Sequence, residues 1–189
     1  LADRVDIRLQ DYRDVNERFD RIVSVGMLEH VGLKNLRGYF AKTRALLADG
    51  GVCMHHGITS TAPDSAESPF GGGEFIERYV FPHGELPHIG FLLKEMTAAG
   101  LEATDVENLR RHYALTARHW SRRFERNGER LRTLVGEKRY RIWRTYLRAC
   151  AEMFRSPHGR THLFQVTVSK GNVAASYPMS RAFLYPRAT

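Results

Sequence analysis

A carboxylate and an imidazole stand side by side in the pair Glu29-His30, shortly after the apolar segment 19–25. Together they could hold or move a proton, which is the basic operation of acid–base catalysis. The pair could equally begin a helix, because a carboxylate is favoured near the positive end of a helix dipole. The segment VGLKN that follows contains a glycine before the next helical pattern, which places the pair on a turn. The residues alone leave both interpretations open.

A second pair, His55-His56, lies inside the apolar segment 51–59. Successive side chains of a strand point to opposite faces, so only one of these imidazoles can face a ligand crevice. The alternative is one histidine in the core and one on the surface. A metal site is disfavoured, because no third ligand stands at a metal-like spacing and no HxH or HExxH motif is present. The sequence also contains no GxSxG motif of a catalytic serine.

The elements that must position these side chains alternate between strand and helix patterns. Strands are predicted at 5–9, 19–25, 51–59, 101–109 and 162–170, and helices at 35–48, 88–99, 114–127 and 129–154. The alternation favours a doubly wound α/β sheet with right-handed crossovers. Segment 19–25 is nearly continuously apolar, which predicts a place in the middle of the sheet. Ligands of such sheets bind beyond the carboxyl ends of the strands, so the polar residues there are expected to face one crevice.

A polar passage rich in Ser, Pro and Gly, STAPDSAESPFGGGEF, interrupts this alternation after the third strand. Irregular segments of this length often serve as lids over active sites. The triplet Gly71-Gly72-Gly73 could be a phosphate-binding loop, but no strand leads into it and no Lys-Ser/Thr follows. We therefore interpret the triplet as a hinge of the lid.

The net charge of +8 is concentrated in residues 110–148. Such a surface attracts polyanions, either nucleic acid or the anionic face of a bilayer. A solvated helix face that keeps the protein soluble is the simpler alternative. Nucleic acid is disfavoured, because the aromatic residues stand at core spacing and do not form a stacking platform.

Several bulk features bound the class of protein. The 189 residues suffice for one domain with a real core, and no apolar run is long enough to span a membrane. Cys53 and Cys150 stand in apolar stretches, which predicts buried free thiols in a reducing, cytoplasmic compartment. The first residues resemble neither a signal peptide nor an initiator segment, so we expect a piece whose start lies further upstream.

Five segments carry a family resemblance, namely QDYRD, FDRIVSVGMLEHVG, RYVFPHGELP, RRHYALTARHWSRRF and GEKRYRIWRTYLRACAEMF. In this order they resemble the C-terminal half of cyclopropane-fatty-acyl-phospholipid synthases, over residues 1–171. The resemblance implies a class I methyltransferase fold, with a mostly parallel, Rossmann-like sheet, an antiparallel last strand and a missing N-terminal part. Residues 1–171 would form the C-terminal portion of one methyltransferase domain, with a lid or insertion at 60–88 and a basic helical segment at 110–155. Residues 172–189 would form an irregular tail.

The resemblance also implies an activity and its cofactors. Such enzymes use S-adenosylmethionine to add a methylene group across a cis double bond of a phospholipid acyl chain, with bound bicarbonate as the base. The positions that match the bicarbonate site are Glu29, His56, the backbone of Ile58, and Tyr113. Positions at the adenine end of the cofactor site would be Gln10, Asp11, Tyr12, Arg13 and Val25. His30 would shape the turn beside Glu29.

The departures from the family are equally specific. The glycine-rich loop that carries the methionine end of the cofactor has no counterpart here, and neither Cys53 nor Cys150 matches the cysteine of the bicarbonate site. We therefore expect the isolated chain to bind S-adenosylmethionine poorly and to be inactive.

The implied partners are unsaturated phospholipid acyl chains and an anionic membrane surface bound by the basic helices, at the inner face of the cytoplasmic membrane. The full-length parent could form a homodimer. One alternative is a related fatty acid methyltransferase that makes a methyl or methylene branch. Another is an inactive remnant that binds membranes.

Overall fold

The computed structural model describes residues 3–63, 72–171 and 177–185. Its strands are β1 (Phe19–Val25), β2 (Leu47–Ser60), β3 (Glu102–Asn108) and β4 (Thr161–Ser169). Its helices are α1 (Leu28–Val31), α2 (Leu36–Leu46), α3 (Gly72–Tyr79), α4 (Ile89–Ala98), α5 (Arg110–Arg126) and α6 (Gly128–Arg155). Short 3-10 helices cover Tyr12–Asp14, Leu33–Asn35 and Arg181–Leu184.

The strands form one sheet in the order β1-β2-β4-β3. β1 pairs with β2 in parallel, whereas β4 is antiparallel to both of its neighbours, β2 and β3. β1, β2 and β3 therefore run in one direction, and β4 lies between β2 and β3 in the opposite direction. This arrangement confirms the predicted α/β fold with a mostly parallel sheet and an antiparallel last strand.

The main core lies between the sheet and the helices α2 and α4. Phe40 of α2 and Met96 of α4 are fully buried against side chains of the sheet, among them Cys53 and Val168. On α2 the buried residues recur every three or four positions, as expected for an amphipathic helix that covers a sheet. This packing fixes the strands whose carboxyl ends carry the candidate site.

Helices α5 and α6 form a hairpin that also contacts β4. Ala117 on α5 is buried between them, and the rings of Phe124 and Tyr140 stack with centroids 5.1 Å apart. α6 is kinked at Gly136, whose φ of 78° lies in the left-handed region that glycine adopts without strain. Both predicted basic helices are present, and the first begins four residues earlier than predicted, at Arg110.

Two predictions about the N-terminal strands are wrong. Residues 5–9 form no strand, and the side chains of Ile7 and Leu9 are 91% and 109% exposed. β1 lies at the edge of the sheet and not in its middle, because the described residues provide a partner, β2, on one side only. Its Val23 and Val25 are accordingly 65% and 64% exposed. A residue pattern is a local signal, whereas strand pairing needs a neighbouring strand. Among the described residues, segment 5–9 has no strand partner and β1 has one on one side only.

The predicted boundaries elsewhere need smaller corrections. The helix predicted at 35–48 ends at Leu46. The Asp49-Gly50-Gly51 segment lies in the first part of β2, where the pairing with β1 is irregular. Of the predicted lid, residues 64–71, including Gly71, lie outside the described residues. Gly72 and Gly73 begin α3. Within the predicted irregular tail, Arg181–Leu184 form one turn of 3-10 helix.

Candidate active site

Glu29 is held by the end of β2. It lies in the four-residue helix α1, is 9% exposed, and its Oε1 accepts a hydrogen bond of 2.7 Å from the backbone N–H of Ile58. The other oxygen, Oε2, is buried and has no hydrogen-bond partner among the described residues. The pair therefore lies in the first turn of a helix, as one interpretation predicted, and its carboxylate is turned inward. The proton-handling role stays a prediction. A buried carboxylate oxygen normally has a partner, so Oε2 marks a place for a ligand donor.

A glycine at the strand end makes room for this carboxylate. A Cβ added at Gly57 would lie 3.0 Å from Leu28 Cδ1 and 3.5 Å from Glu29 Oε2. The backbone of β2 thus approaches α1 so closely that a side chain at this position would require Leu28 to shift. The N–H of Ile58 can reach the carboxylate because of this approach.

The two histidines of β2 have opposite fates, as strand alternation requires. His55 is 1% exposed and lies in the core, where its ring contacts Tyr39 and Phe40 edge-on. Burial lowers its pKa to about 4, which keeps the imidazole neutral. His56 is half-buried on the other face, and its Nδ1 lies 3.1 Å from Nε2 of Gln165 on β4. Burial lowers the pKa of His56, and the negative charge of Glu29 opposes that shift.

Tyr113 projects from the first turns of α5 and is half-buried. Its ring contacts Phe154 and Trp120 edge-on, at centroid distances of 4.8 and 5.8 Å. Burial raises the pKa of its hydroxyl, and the nearby Cys150 and Glu29 raise it further. The structure therefore brings Tyr113 into electrostatic range of Glu29, across 84 residues of sequence.

Tyr146 on α6 belongs to the same neighbourhood, and sequence reasoning did not single it out. Its ring packs edge-on against Phe81 and Trp143. Burial raises the pKa of its hydroxyl, with further contributions from Cys150, Tyr113 and Glu29. A tyrosine at core spacing gives no sequence signal that separates a polar role from packing.

The predicted cofactor residues occupy an open surface. Asp11 caps the 3-10 helix Tyr12–Asp14, and its carboxylate accepts hydrogen bonds from the backbone and the guanidinium of Arg13. These bonds lower the pKa of Asp11 to about 2. Tyr12 is half-buried against Tyr39, with ring centroids 5.4 Å apart. Gln10 and Val25 are exposed.

His30, the second member of the opening pair, is exposed and lies edge-on to Phe81 at 5.6 Å. Within the described ranges, no group of three or more His, Cys, Asp or Glu residues could hold a metal ion. Nor does any helix in those ranges have the length and apolar character needed to cross a membrane.

Comparison with known proteins gives this arrangement a family. A model of the family described as mycolic acid cyclopropane synthetase matches residues 1–166. The chain belongs to this family.

Two family members illustrate the range of the similarity. A probable fatty acid methyltransferase of Pseudomonas putida is 48% identical over 172 residues, which is 90% of this chain and 43% of that protein. The cyclopropane-fatty-acyl-phospholipid synthase of Escherichia coli K12 is 37% identical over 167 residues, covering 88% of this chain and 42% of that protein. The chain thus spans less than half the length of these curated relatives.

Solved structures of the family share the fold. The cyclopropane synthase MmaA2 of Mycobacterium tuberculosis superimposes with a TM-score of 0.79 at 26% identity, over 88% of this chain and 63% of that one. The mycolic acid cyclopropane synthase CmaA1, complexed with SAH and CTAB, gives a TM-score of 0.77 at 32% identity, over 85% and 59%. The fold is therefore that of the class I S-adenosylmethionine-dependent methyltransferases.

Proposed function

We propose that this chain is the C-terminal part of an S-adenosylmethionine-dependent enzyme that adds a methylene group across a cis double bond of a phospholipid acyl chain. Family membership supports a methyl donor and a lipid substrate. One observation carries the proposal: the buried Oε2 of Glu29 has no hydrogen-bond partner in the part of the chain that the structure describes. It lies beside a fixed backbone donor and within electrostatic range of His56 and Tyr113.

Bicarbonate fits this donor set. Its protonated oxygen can donate to Glu29 Oε2, which removes the repulsion that a carboxylate would otherwise exert on an anion. His56 and the hydroxyl of Tyr113 can donate to the remaining oxygens. The N–H of Ile58, which the family resemblance assigns to bicarbonate, donates to Glu29 Oε1 in this structure. It therefore orients the carboxylate before a ligand arrives.

When bound, S-adenosylmethionine supplies an electrophilic methyl group and bicarbonate supplies the base. The residues of this chain have three tasks around them. Glu29 accepts a hydrogen bond from the protonated oxygen of bicarbonate and places negative charge near a cationic acyl chain. Tyr113 and the buried Phe154, whose rings pack edge-on, help to exclude water from it. Ile58 N–H keeps the carboxylate from rotating away.

The adenine end of the cofactor fits the surface around Tyr12. The exposed side chain of Val25 would pack beneath the ring, and Tyr12 and Arg13 would flank it. Asp11 and Gln10 would be polar partners. The ion pair between Asp11 and Arg13 holds both side chains in one orientation before the cofactor binds.

Product analysis tests this proposal. The protein to use is this chain together with any residues encoded upstream of it, here termed the full gene product. It is incubated with a cis-unsaturated phospholipid and a methyl donor that carries three deuterium atoms. Ring closure removes one of them as a deuteron, so a cyclopropane retains two. A wild-type protein that labels no lipid would overturn the proposal.

The second candidate product is a methyl or methylene branch, favoured by the 48% identity to a probable fatty acid methyltransferase. A reduced methyl branch needs a hydride donor, retains all three deuterium atoms and is two hydrogens heavier than the ring. A methylene branch retains two deuterium atoms, as the ring does, but these deuterium atoms are vinylic in the deuterium NMR spectrum, whereas those of a cyclopropane are not. The same incubation therefore separates the products.

We further propose that α5 and α6 dock on an anionic membrane surface at the inner face of the cytoplasmic membrane. A groove on one side of the hairpin contains five arginines: Arg118, Arg122, Arg126, Arg148 and Arg155. Glu125 and Glu152 neutralise Arg148 and Arg155. In the described part of the chain, the three α5 arginines of the groove form no ion pair, so their charges are available to phosphates.

Charge reversal tests the docking. Arg118, Arg122 and Arg126 are changed to Glu in the full gene product, and binding to vesicles that contain anionic phospholipid is measured at low salt. Each arginine near such a surface contributes about 1 kcal/mol, so we expect binding to fall at least about a hundredfold. Reversal of Arg18, Arg21 and Lys94 makes the same change in net charge elsewhere and is the control. Equal losses in both variants would contradict a docking role for α5.

A further inference from the structure

Glu85, in the FPHGELP segment between α3 and α4, makes two hydrogen bonds around the helix that carries Glu29. Its backbone N–H donates to the carbonyl oxygen of Glu29 at 2.9 Å. Its side-chain Oε2 accepts from the backbone N–H of Leu33 at 2.7 Å. These bonds join segments more than fifty residues apart in sequence.

The two groups that Glu85 binds are those that would pair with each other if α1 continued. The carbonyl of residue 29 and the N–H of residue 33 are four positions apart, the spacing of an α-helical hydrogen bond. Glu85 stands in place of that bond and satisfies both groups, which would otherwise be left open at the helix end. Gly32 follows the helix with a φ of 84°, and a Cβ there would lie 3.3 Å from Glu85 Oε2.

The same segment is anchored to the strand on the other side of Glu29. The carbonyl of Pro87 accepts from Ser60 N–H at 3.0 Å, at the end of β2. A tight turn precedes Glu85, in which His83 has a positive φ of 63° and Gly84 N–H donates to the carbonyl of Phe81. The FPHGELP segment therefore connects α1 to the strand that supplies Ile58 N–H.

We infer that Glu85 is a positioning residue for Glu29: it ends α1 after one turn and thereby sets where the Glu29 carboxylate meets β2. Glu85 is exposed and its carboxylate binds a backbone group, so it acts on the site only through the backbone of α1. This inference rests on the proposed role of Glu29.

The test compares Glu85→Leu with Glu85→Gln in the full gene product. Leu removes the acceptor for Leu33 N–H, whereas the amide oxygen of Gln retains it. Small displacements of catalytic groups cost up to about a hundredfold in rate, so we expect kcat to fall about tenfold in the Leu variant and less than about threefold in the Gln variant. The KM for S-adenosylmethionine should stay unchanged, because Glu85 acts on α1 and not on the surface around Tyr12.

Glu77→Leu, the same change at an exposed position of α3, is the matched control and should leave kcat unchanged. Faster hydrogen exchange of the Leu33 amide in the Glu85→Leu variant would confirm that the bond was lost. A Glu85→Leu protein with this faster exchange and wild-type kcat would overturn the inference while the proposed function stands. An equal fall in kcat for the Leu and Gln variants would also overturn it. Wild-type protein without lipid product would overturn both.

Discussion

The surroundings of Glu29 and the surface around Tyr12 differ in how completely this chain builds them. Glu29 is buried, hydrogen-bonded to Ile58 and held from behind by Glu85. Around Tyr12, the side chains of Gln10 and Val25 are exposed, and Asp11 and Arg13 bind each other. The difference teaches that the proposed proton-handling part of the site folds with β2, whereas the proposed cofactor surface has only one wall in the described residues.

The largest expected effect is on the buried side. Glu29→Gln keeps an oxygen for Ile58 N–H but replaces the unpartnered acceptor with a donor. Because acid–base groups contribute about a hundredfold to ten-thousandfold, we expect kcat of the full gene product to fall about a thousandfold. Glu102→Gln, at an exposed position of β3, is the control. A Glu29→Gln enzyme whose kcat lies within threefold of the wild-type value would show that Glu29 is not at the centre of the chemistry.

Because the surface around Tyr12 is open, we expect the isolated chain and the full gene product to differ strongly in their affinity for the cofactor. Calorimetry should show that the isolated 189-residue chain binds S-adenosylmethionine at least about a hundredfold more weakly than the full gene product, a difference of about 2.7 kcal/mol. The reason is that the glycine-rich loop of the family has no counterpart here. Equal, tight binding by both proteins would show that the surface around Tyr12 is a complete site.

The pH dependence of stability reports on the burial of His55 in the core. His55 has a folded-state pKa of about 4, below its ordinary value of 6.5, so the unfolded chain binds its proton first as the pH falls. The free energy of unfolding should therefore decrease between pH 6.5 and 4, by about 2 kcal/mol for this residue. Urea unfolding of wild type and His55→Gln at pH 7 and pH 4.5 measures the contribution. An identical pH dependence in the two proteins would place His55 in a wetter environment.

The smallest effect is expected at the exposed edge of the sheet. In the isolated chain, Val25→Ala should change the free energy of unfolding by less than about 0.5 kcal/mol, since the side chain is 64% exposed. The same substitution at Val166, which is 1% exposed, should cost about 2 kcal/mol. In the full gene product, Val25→Ala should become more costly as the edge is covered. Equal costs at Val25 in both proteins would mean that the edge stays open.

The same contrast separates what the sequence could predict from what it could not. β1 was predicted within its observed bounds, because a run of apolar β-branched residues is a local signal. The strand predicted at 5–9 failed for the complementary reason: alternation cannot supply a hydrogen-bonding neighbour. Alternation along β2 showed that only one of the two histidines could face the crevice, and the family resemblance pointed to His56.

Within the candidate site, the residue types were visible but the bonds between them were not. Glu29 could be singled out from its place after β1, yet its bond to Ile58 N–H depends on the parallel register of β1 and β2. Glu85 gave no signal, because the donor to its carboxylate is a backbone N–H on a turn 52 residues away. Contacts of this kind follow from tertiary packing and leave no spacing rule in the chain.

The central claim is that Glu29, His56 and Tyr113 hold bicarbonate, which acts as the base of the reaction. The most direct measurement is the rate of lipid methylenation by the full gene product in carbonate-free buffer, with and without added bicarbonate, for wild type and Glu29→Gln. The account predicts that bicarbonate accelerates the wild type in a saturable manner and leaves the variant unchanged. A wild-type rate that does not depend on bicarbonate would contradict it.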